Sequence, residues 1–339
     1  MSGDTTTALL PWHEEAFAQL ALRHESGRLG HAWLFAGHQG TGKVRFATAF
    51  AQFLFCTAPR RNKACGECQD CHLFSIGAHP DFRLERPEKK LITVDQIRDT
   101  IGFAQNTSRR GGMKVLIFEP AEAMNLNAAN ALLKLLEEPP QRTLLLLISH
   151  QPGLLLATIR SRCQVLRCQL PPHDLAVKWL QEQGLVGDAD AALRRAHGAP
   201  LRALVQSDAD TQVQRQQLQA CLLALARGNM QPVEAAKKCE KFNIAATIDY
   251  QLACAADLSA CAQGARALHD AELHDLAEQL GVTHQSTAFV RLLHRFYGEL
   301  QETRRVATAS NNANPALILE TLFGRWLQLG LRSRAQTTR

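Results

Sequence analysis

A chain of 339 residues, 46% of them hydrophobic, is too long for one small core and points to two or three domains, while no apolar run approaches the ~18 residues of a membrane-spanning helix. The formal charge of +6, from 38 basic against 32 acidic side chains, permits contact with a polyanion without demanding one. Met1–Pro11 has neither a basic start nor an apolar h-region, so no secretory signal is predicted and a cytoplasmic location is expected; the ten cysteines then read as metal ligands or buried thiols rather than disulfides.

The first predicted strand, Ala32–Ala36, runs into Gly37-His38-Gln39-Gly40-Thr41-Gly42-Lys43, the glycine and lysine spacing of a phosphate-binding loop that opens a helix. Such a loop aims backbone N–H groups and a helix N-terminus at phosphate oxygens, which makes Gly37, Gly40, Gly42 and Lys43 the candidate nucleotide contacts. The next residue is Val44, which has no hydroxyl to offer Mg²⁺. Two readings stay open: a nucleotide site, or a tight strand-to-helix turn that is empty in the working protein.

Cys56, Cys65, Cys68 and Cys71 come next, grouped as for a tetrahedral Cys₄ zinc site, with turns at Gly66 and Asp70 folding the loop around the ion. Full coordination leaves no open position, so the role is structural; repeated CxxC spacing also allows an iron–sulfur cluster. Arg60, Arg61 and Lys63 beside it read as a solvated loop face, with a zinc-dependent DNA-binding module as the competing reading. The cysteines at 163, 168, 221, 239, 254 and 261 lack ligand spacing and are expected to be buried.

Further along, Asp81–Leu84 is a candidate strand, and a capping box at Thr93-Val94-Asp95-Gln96, flanked by Ile92 and Ile97 at staple spacing, starts a helix. Arg109 and Arg110, placed at the end of that helix, are candidates for phosphate-backbone contact. The strand Lys114–Glu119 leads into Glu119-Pro120-Ala121-Glu122, where Glu119 takes the metal-side carboxylate position and Glu122 would have to reach from a different angle. Asn125 or Asn127 caps a helix with Ala128, Leu132, Leu133 and Leu136 on one face, stopped by Pro139-Pro140. Leu144–Ser149 and Val165–Arg167 complete five strands separated by helices, the pattern of a parallel sheet covered on both faces.

After Pro171-Pro172 the pattern is helical. A short unit ends near Gly198-Ala199-Pro200, and helical periodicity follows over Gln212–Arg227, Asn243–Ala265 and Thr287–Val306, punctuated by Gly228, Gly264 and Gly281. Ser333–Arg339 reads as a polar tail. The expected division is 1–170 for the α/β domain with its cysteine module at 56–71, 171–209 for a small helical lid and 210–339 for an all-helical domain.

Three segments carry a family resemblance: Arg28-Leu29-Gly30-His31-Ala32-Trp33-Leu34-Phe35, Asn130-Ala131-Leu132-Leu133-Lys134-Leu135-Leu136-Glu137-Glu138-Pro139-Pro140, and Ser161-Arg162-Cys163. Together they resemble the AAA+ clamp-loader subunits of bacterial DNA polymerase III over residues 11 to about 205, with the region after 210 similar only in length and character to their oligomerising collar. The resemblance implies an AAA+ P-loop domain with an inserted zinc loop, a helical lid and an all-α collar. It also implies that Arg162 is an arginine finger for ATP bound to the adjacent subunit, where a guanidinium stabilises charge developing on the γ-phosphate. The plainer reading is a surface arginine paired with a carboxylate, and Arg160 is a weaker candidate for the finger.

In AAA+ ATPases the position after Glu119 holds the glutamate that polarises water; here it is Pro120. With Val44, that favours the non-hydrolysing delta-prime type over the ATP-hydrolysing gamma or tau type, and disfavours an autonomous DNA-stimulated ATPase. Arg202 resembles a sensor arginine of the lid, facing the loop or retained as a relic. The implied partners are the gamma/tau and delta subunits, the sliding clamp and the backbone of primer–template DNA, with no membrane; the implied cofactor is structural zinc, ATP binding being left open.

Overall fold

Strands in the first half form where short runs rich in apolar residues meet turn residues, and helices between them cover the sheet, those after the second and third strands opened by side-chain caps at Thr93 and Asn125. The computed structural model describes residues 8–265, 287–309 and 314–337. By internal packing the chain divides into two units, one of Met1–Trp179 with Ala199–Arg202, the other of Leu180–Gly198 with Ala203–Arg339.

In the first unit the elements are α1 (Glu14–Glu25), β1 (Ala32–Ala36), α2 (Lys43–Phe55), α3 (Gln69–Ser75), β2 (Phe82–Glu85), α4 (Val94–Gln105), β3 (Lys114–Phe118), α5 (Leu126–Glu137), β4 (Thr143–Ser149), α6 (Ala157–Arg160) and β5 (Gln164–Arg167). The five strands form one parallel sheet in the order β2-β3-β4-β1-β5. Every residue of β3 and β4 is buried, as continuous apolar runs between two helical layers require. One layer is aromatic, with Phe17 of α1 against Phe46, Phe50 and Phe53 of α2. The other is aliphatic, with Ile97, Leu132, Leu135 and Leu136 over Leu116, Leu145 and Leu147.

The capping box forms as expected: Thr93 Oγ1 accepts from Gln96 N at 3.3 Å and Gln96 Oε1 accepts from Thr93 N at 2.9 Å. Between the two candidate caps of α5 it is Asn125 that acts, its Oδ1 accepting from Ala128 N at 2.8 Å. The buried stripe of α5 holds Leu135 where the pattern suggested Leu133, which is only partly buried. The strand expected over Asp81–Leu84 runs one residue later, Phe82–Glu85; the Asp81 carbonyl still accepts from Val115 N at 3.0 Å, while its carboxylate binds the loop after α4.

Beyond β5 every described element is helical: α7 (His173–Glu182), α8 (Ala189–Arg195), α9 (Pro200–Gln206), α10 (Ala209–Ala226), α11 (Pro232–Lys238), α12 (Ile244–Ala262), α13 (Thr287–Ala309) and α14 (Pro315–Thr337). The second unit has its own core, in which Leu222, Leu258, Leu293, Phe296, Phe323 and Trp326 meet. Two of its helices, α11 and α14, have no counterpart among the sequence-based expectations, and the segment read as a polar tail from Ser333 continues α14 to Thr337. Gly281, Thr338 and Arg339 lie outside the described residues. No helix among the described residues is long and apolar enough to cross a membrane.

Candidate functional site

The glycine loop leaves β1 at the C-terminal edge of the sheet, where Ala36 lies between Ser149 of β4 and Arg167 of β5. Its tight path uses left-handed backbone at Gly40, φ +84°, and Gly42, φ +88°, and a side chain at Gly40 would come within 2.8 Å of the Arg202 Cβ. The backbone of Arg202 thus lies beside the loop, and Leu201 N donates to the Gly40 carbonyl at 3.1 Å. From the other direction, Trp12 Nε1 and His13 Nε2 both donate to the Thr41 carbonyl at 2.8 Å, and Trp12 meets Trp179 edge-on at 5.3 Å.

Lys43 does not point out of the loop. Its Nζ donates to the carbonyls of Gly37 at 2.7 Å and His38 at 2.6 Å, and the residue is 2% exposed. Burial lowers its pKa to about 8, opposed by the charges of Cys168, Glu122 and Glu119. Val44 packs against the aromatic layer. The carboxylates are equally committed: Arg86 grips Glu119 Oε2 through Nε at 2.7 Å and Nη2 at 2.6 Å, and Glu122 Oε1 accepts from the backbone of His150 at 2.8 Å and Gln151 at 3.1 Å. Through Oε1, Glu122 closes the turn after β4. Its Oε2, Ser149 Oγ and His150 Nδ1 are buried without a hydrogen-bond partner.

Two imidazoles flank this site, His13 buried and His150 half-buried. His13 stacks on Phe46 at 5.1 Å, and burial, reinforced by the Lys43 cation and opposed by its bond to Thr41, takes its pKa down to about 4; His150 is held at about 4 by burial and then by Lys43. A histidine depressed below its ordinary value of about 6.5 contributes stability in full above that value and loses it as pH falls toward the folded pKa. Between pH 7 and 4.5 the chain should lose stability on the order of 3 kcal/mol through His13, with His150 acting in the same window. Urea unfolding of wild type and His13→Phe across this range checks it: the variant should show the shallower slope.

The four clustered cysteines come together as their spacing requires, with all four Sγ atoms within 4.8 Å of one another. Cys56 caps the end of α2, Gly66 turns the loop at φ +77°, and Cys68 caps the start of α3. Backbone N–H groups address the sulfurs: Cys65 N to Cys56 Sγ at 3.2 Å, Cys68 N to Cys65 Sγ at 3.3 Å and Cys71 N to Cys68 Sγ at 3.4 Å. The N–H groups of Glu67 and Cys68 hold the Cys65 thiol below its ordinary pKa, whereas burial pushes the Cys56 and Cys71 thiols up. Asp70 is not a turn residue. It is buried in the first turn of α3, bound to Arg110 Nε at 2.7 Å.

Arg110 Nη2 also donates to Gln69 Oε1 at 2.9 Å. The guanidinium ties the cysteine module to the loop after α4, and both arginines lie beyond the helix, which ends at Gln105. Arg60, Arg61 and Lys63 are exposed, Lys63 facing Glu14 at 3.6 Å. The remaining six cysteines are all buried and form no disulfide.

Arg162 follows α6, whose Ile159 is fully buried, and precedes the buried Cys163. Its Nη2 lies 2.6 Å from Glu137 Oε1 and its Nη1 donates to the Thr158 carbonyl at 3.0 Å. The carboxylate pairing weighed from the sequence is thus present, with the arginine side chain 36% exposed. Arg160 reaches only the Pro152 carbonyl, at 3.4 Å. Arg86 and His150 were not singled out from the sequence, and neither stands in a motif; Glu137 stands in the Leu-Glu-Glu-Pro run that was.

A parallel sheet in this order, with a glycine–lysine loop after β1, an inserted cysteine module and helices beyond, defines an α/β P-loop protein of the AAA+ class. Residues 12–172 match the family model described as DNA polymerase III, delta subunit, and 210–328 the one described as DNA polymerase III, delta subunit, C terminal. The chain is 36% identical to the DNA polymerase III subunit delta' of Pseudomonas aeruginosa over 330 residues, 95% of this chain and 98% of that one. It is 38% identical to the subunit delta' of Escherichia coli over 212 residues, 61% of this chain and 64% of that one. It therefore belongs to the delta-prime family of DNA polymerase III subunits. A solved gamma subunit-related protein of Thermotoga maritima is 17% identical, covering 92% of this chain and 99% of its own, at a TM-score of 0.45, too loose a likeness to carry an argument.

Proposed function

We propose that this chain serves in the cytoplasm as the delta-prime subunit of a DNA polymerase III clamp loader, helping to place the sliding clamp on primed DNA. In this reading it presents Arg162 to the ATP of an adjacent subunit and does not hydrolyse ATP itself. The observation that carries the reading is Arg162: a partly exposed guanidinium, fixed between buried Ile159 and Cys163, in a chain of this family. Non-hydrolysis is supported by four features in and around its own loop. Lys43 is folded onto loop carbonyls, Val44 lacks a hydroxyl, Arg86 holds Glu119, and Pro120 has no base.

The partners in this reading are the gamma/tau and delta subunits, contacted through an oligomerising collar at 210–339, with a lid at 171–209 and the clamp and DNA backbone engaged by the assembled loader. Cys56, Cys65, Cys68 and Cys71 fit a structural zinc ion: four sulfur donors, close enough for one tetrahedron, with backbone N–H groups directed at three of them. The test of the degenerate loop is direct. Purified chain with Mg²⁺ and ATP is expected to show no turnover above a Lys43→Ala control. Robust hydrolysis that this substitution abolishes would move the chain to the gamma/tau type.

A further inference from the structure

We infer that Glu137 is the positioning residue for Arg162, orienting the guanidinium before any neighbouring subunit arrives. The inference rests on the trans-acting role proposed above for that arginine. Two different nitrogens of the fork are engaged by two fixed acceptors: Nη2 by Glu137 Oε1 at 2.6 Å, and Nη1 by the Thr158 carbonyl at 3.0 Å. Holding both nitrogens fixes the plane of the guanidinium as well as its position, while a side-chain exposure of 36% leaves part of it facing solvent for an incoming phosphate.

The seat of Glu137 is rigid. It is the last residue of α5, whose start is pinned by the Asn125 cap, and Leu135 and Leu136 just before it are buried in the aliphatic layer. The Leu136 carbonyl accepts from His31 Nε2 at 3.0 Å, which ties the end of α5 to the entrance of β1, and Pro139-Pro140 follow. The other acceptor belongs to α6, anchored by Ile159. A pair as exposed as Glu137 and Arg162 adds little to fold stability, so its effect should appear in geometry. A long arginine side chain has many rotamers, and a small displacement of a group that stabilises a transition state is costly in rate.

The experiment compares clamp loaders rebuilt with wild-type, Glu137→Gln, Arg162→Ala and doubly substituted chain, after gel filtration shows equal assembly; Glu137→Ala serves if the glutamine variant assembles poorly. Clamp- and DNA-stimulated ATPase is measured against ATP concentration. Glu137→Gln is expected to lower turnover at the affected site roughly 3- to 10-fold with KM for ATP within about twofold. The double variant should be no slower than Arg162→Ala, since a residue that acts only through the arginine has nothing left to position.

A wild-type rate for Glu137→Gln beside a slow Arg162→Ala would overturn the positioning role and leave the finger standing. Additive losses in the double variant, or faster turnover on losing Glu137, would overturn it too. A wild-type rate for Arg162→Ala removes the finger itself, and the inference with it.

Discussion

A clamp loader rebuilt with Arg162→Ala is expected to assemble normally and to lose clamp loading more severely than total ATPase. Loss of an arginine finger costs ~10³-fold or more in related phosphoryl-transfer systems, but only the site facing this chain should be affected, so the remaining sites keep part of the bulk rate. Normal folding is expected because the ion pair given up is half-exposed, and the neighbours that fix the local backbone, Ile159 and Cys163, are untouched. Arg162→Lys should rescue poorly: one ammonium on a flexible stem does not reproduce a planar fork held at two nitrogens. The measurement is stimulated ATPase and clamp loading at matched assembly, and an Arg162→Ala loader running at the wild-type rate would disprove the assignment.

The second large effect is expected at the cysteine module. Metal analysis should find one zinc per chain, and Cys68→Ser should abolish it and unfold residues 56–75, whereas Cys221→Ser, in the second unit's core, should leave the metal in place. Structural zinc contributes ~10–16 kcal/mol in peptide systems, much more than the few apolar contacts of a short helix such as α3. The damage should extend past the loop, since Asp70 ends up without its place beside Arg110, and Arg110 links the module to the segment leading into β3. Limited proteolysis near Arg109 and thermal unfolding read the effect. Iron with visible charge-transfer absorption, or a metal-free wild type of unchanged stability, would contradict it.

The sheet was legible in the sequence because four of the five candidate strands are rich in apolar residues and all lie between helical patterns, and the P-loop and cysteine spacings each encode a local geometry that leaves little choice. Caps were legible for the same reason. The two helices missed in the second half do carry start marks, Pro232 at the head of α11 and Asn314-Pro315 at that of α14, where Asn314 Oδ1 accepts from Ala316 N at 3.0 Å; what the line of the sequence does not give is the packing of Leu319, Phe323 and Trp326 in the core of their unit. Side-chain commitments were the least visible. That Lys43 turns back onto its own loop, that Arg86 holds Glu119, and that Arg110 binds Asp70 are choices among acceptors, and a linear pattern does not rank them. Glu137 lay in a quoted motif, yet its contact with Arg162 depends on two helix ends meeting in space.

The strand order also sets a schedule for folding during synthesis. β1 finds neither of its sheet neighbours nearby in the chain: Ala32 pairs with Leu145, and Trp33 with both Leu146 and Gln164. Until those residues have left the ribosome, the run Ala-Trp-Leu-Phe-Ala has both edges unpaired, and with them the glycine loop lacks its support from Ser149. β2 and β3 can pair earlier, with α4 laid across them, so the half of the sheet bearing the cysteine module is set to form first. Long-range parallel pairing is slow and leaves apolar edges open to misassociation, which makes the nascent first unit a natural client for chaperones until β5 has emerged.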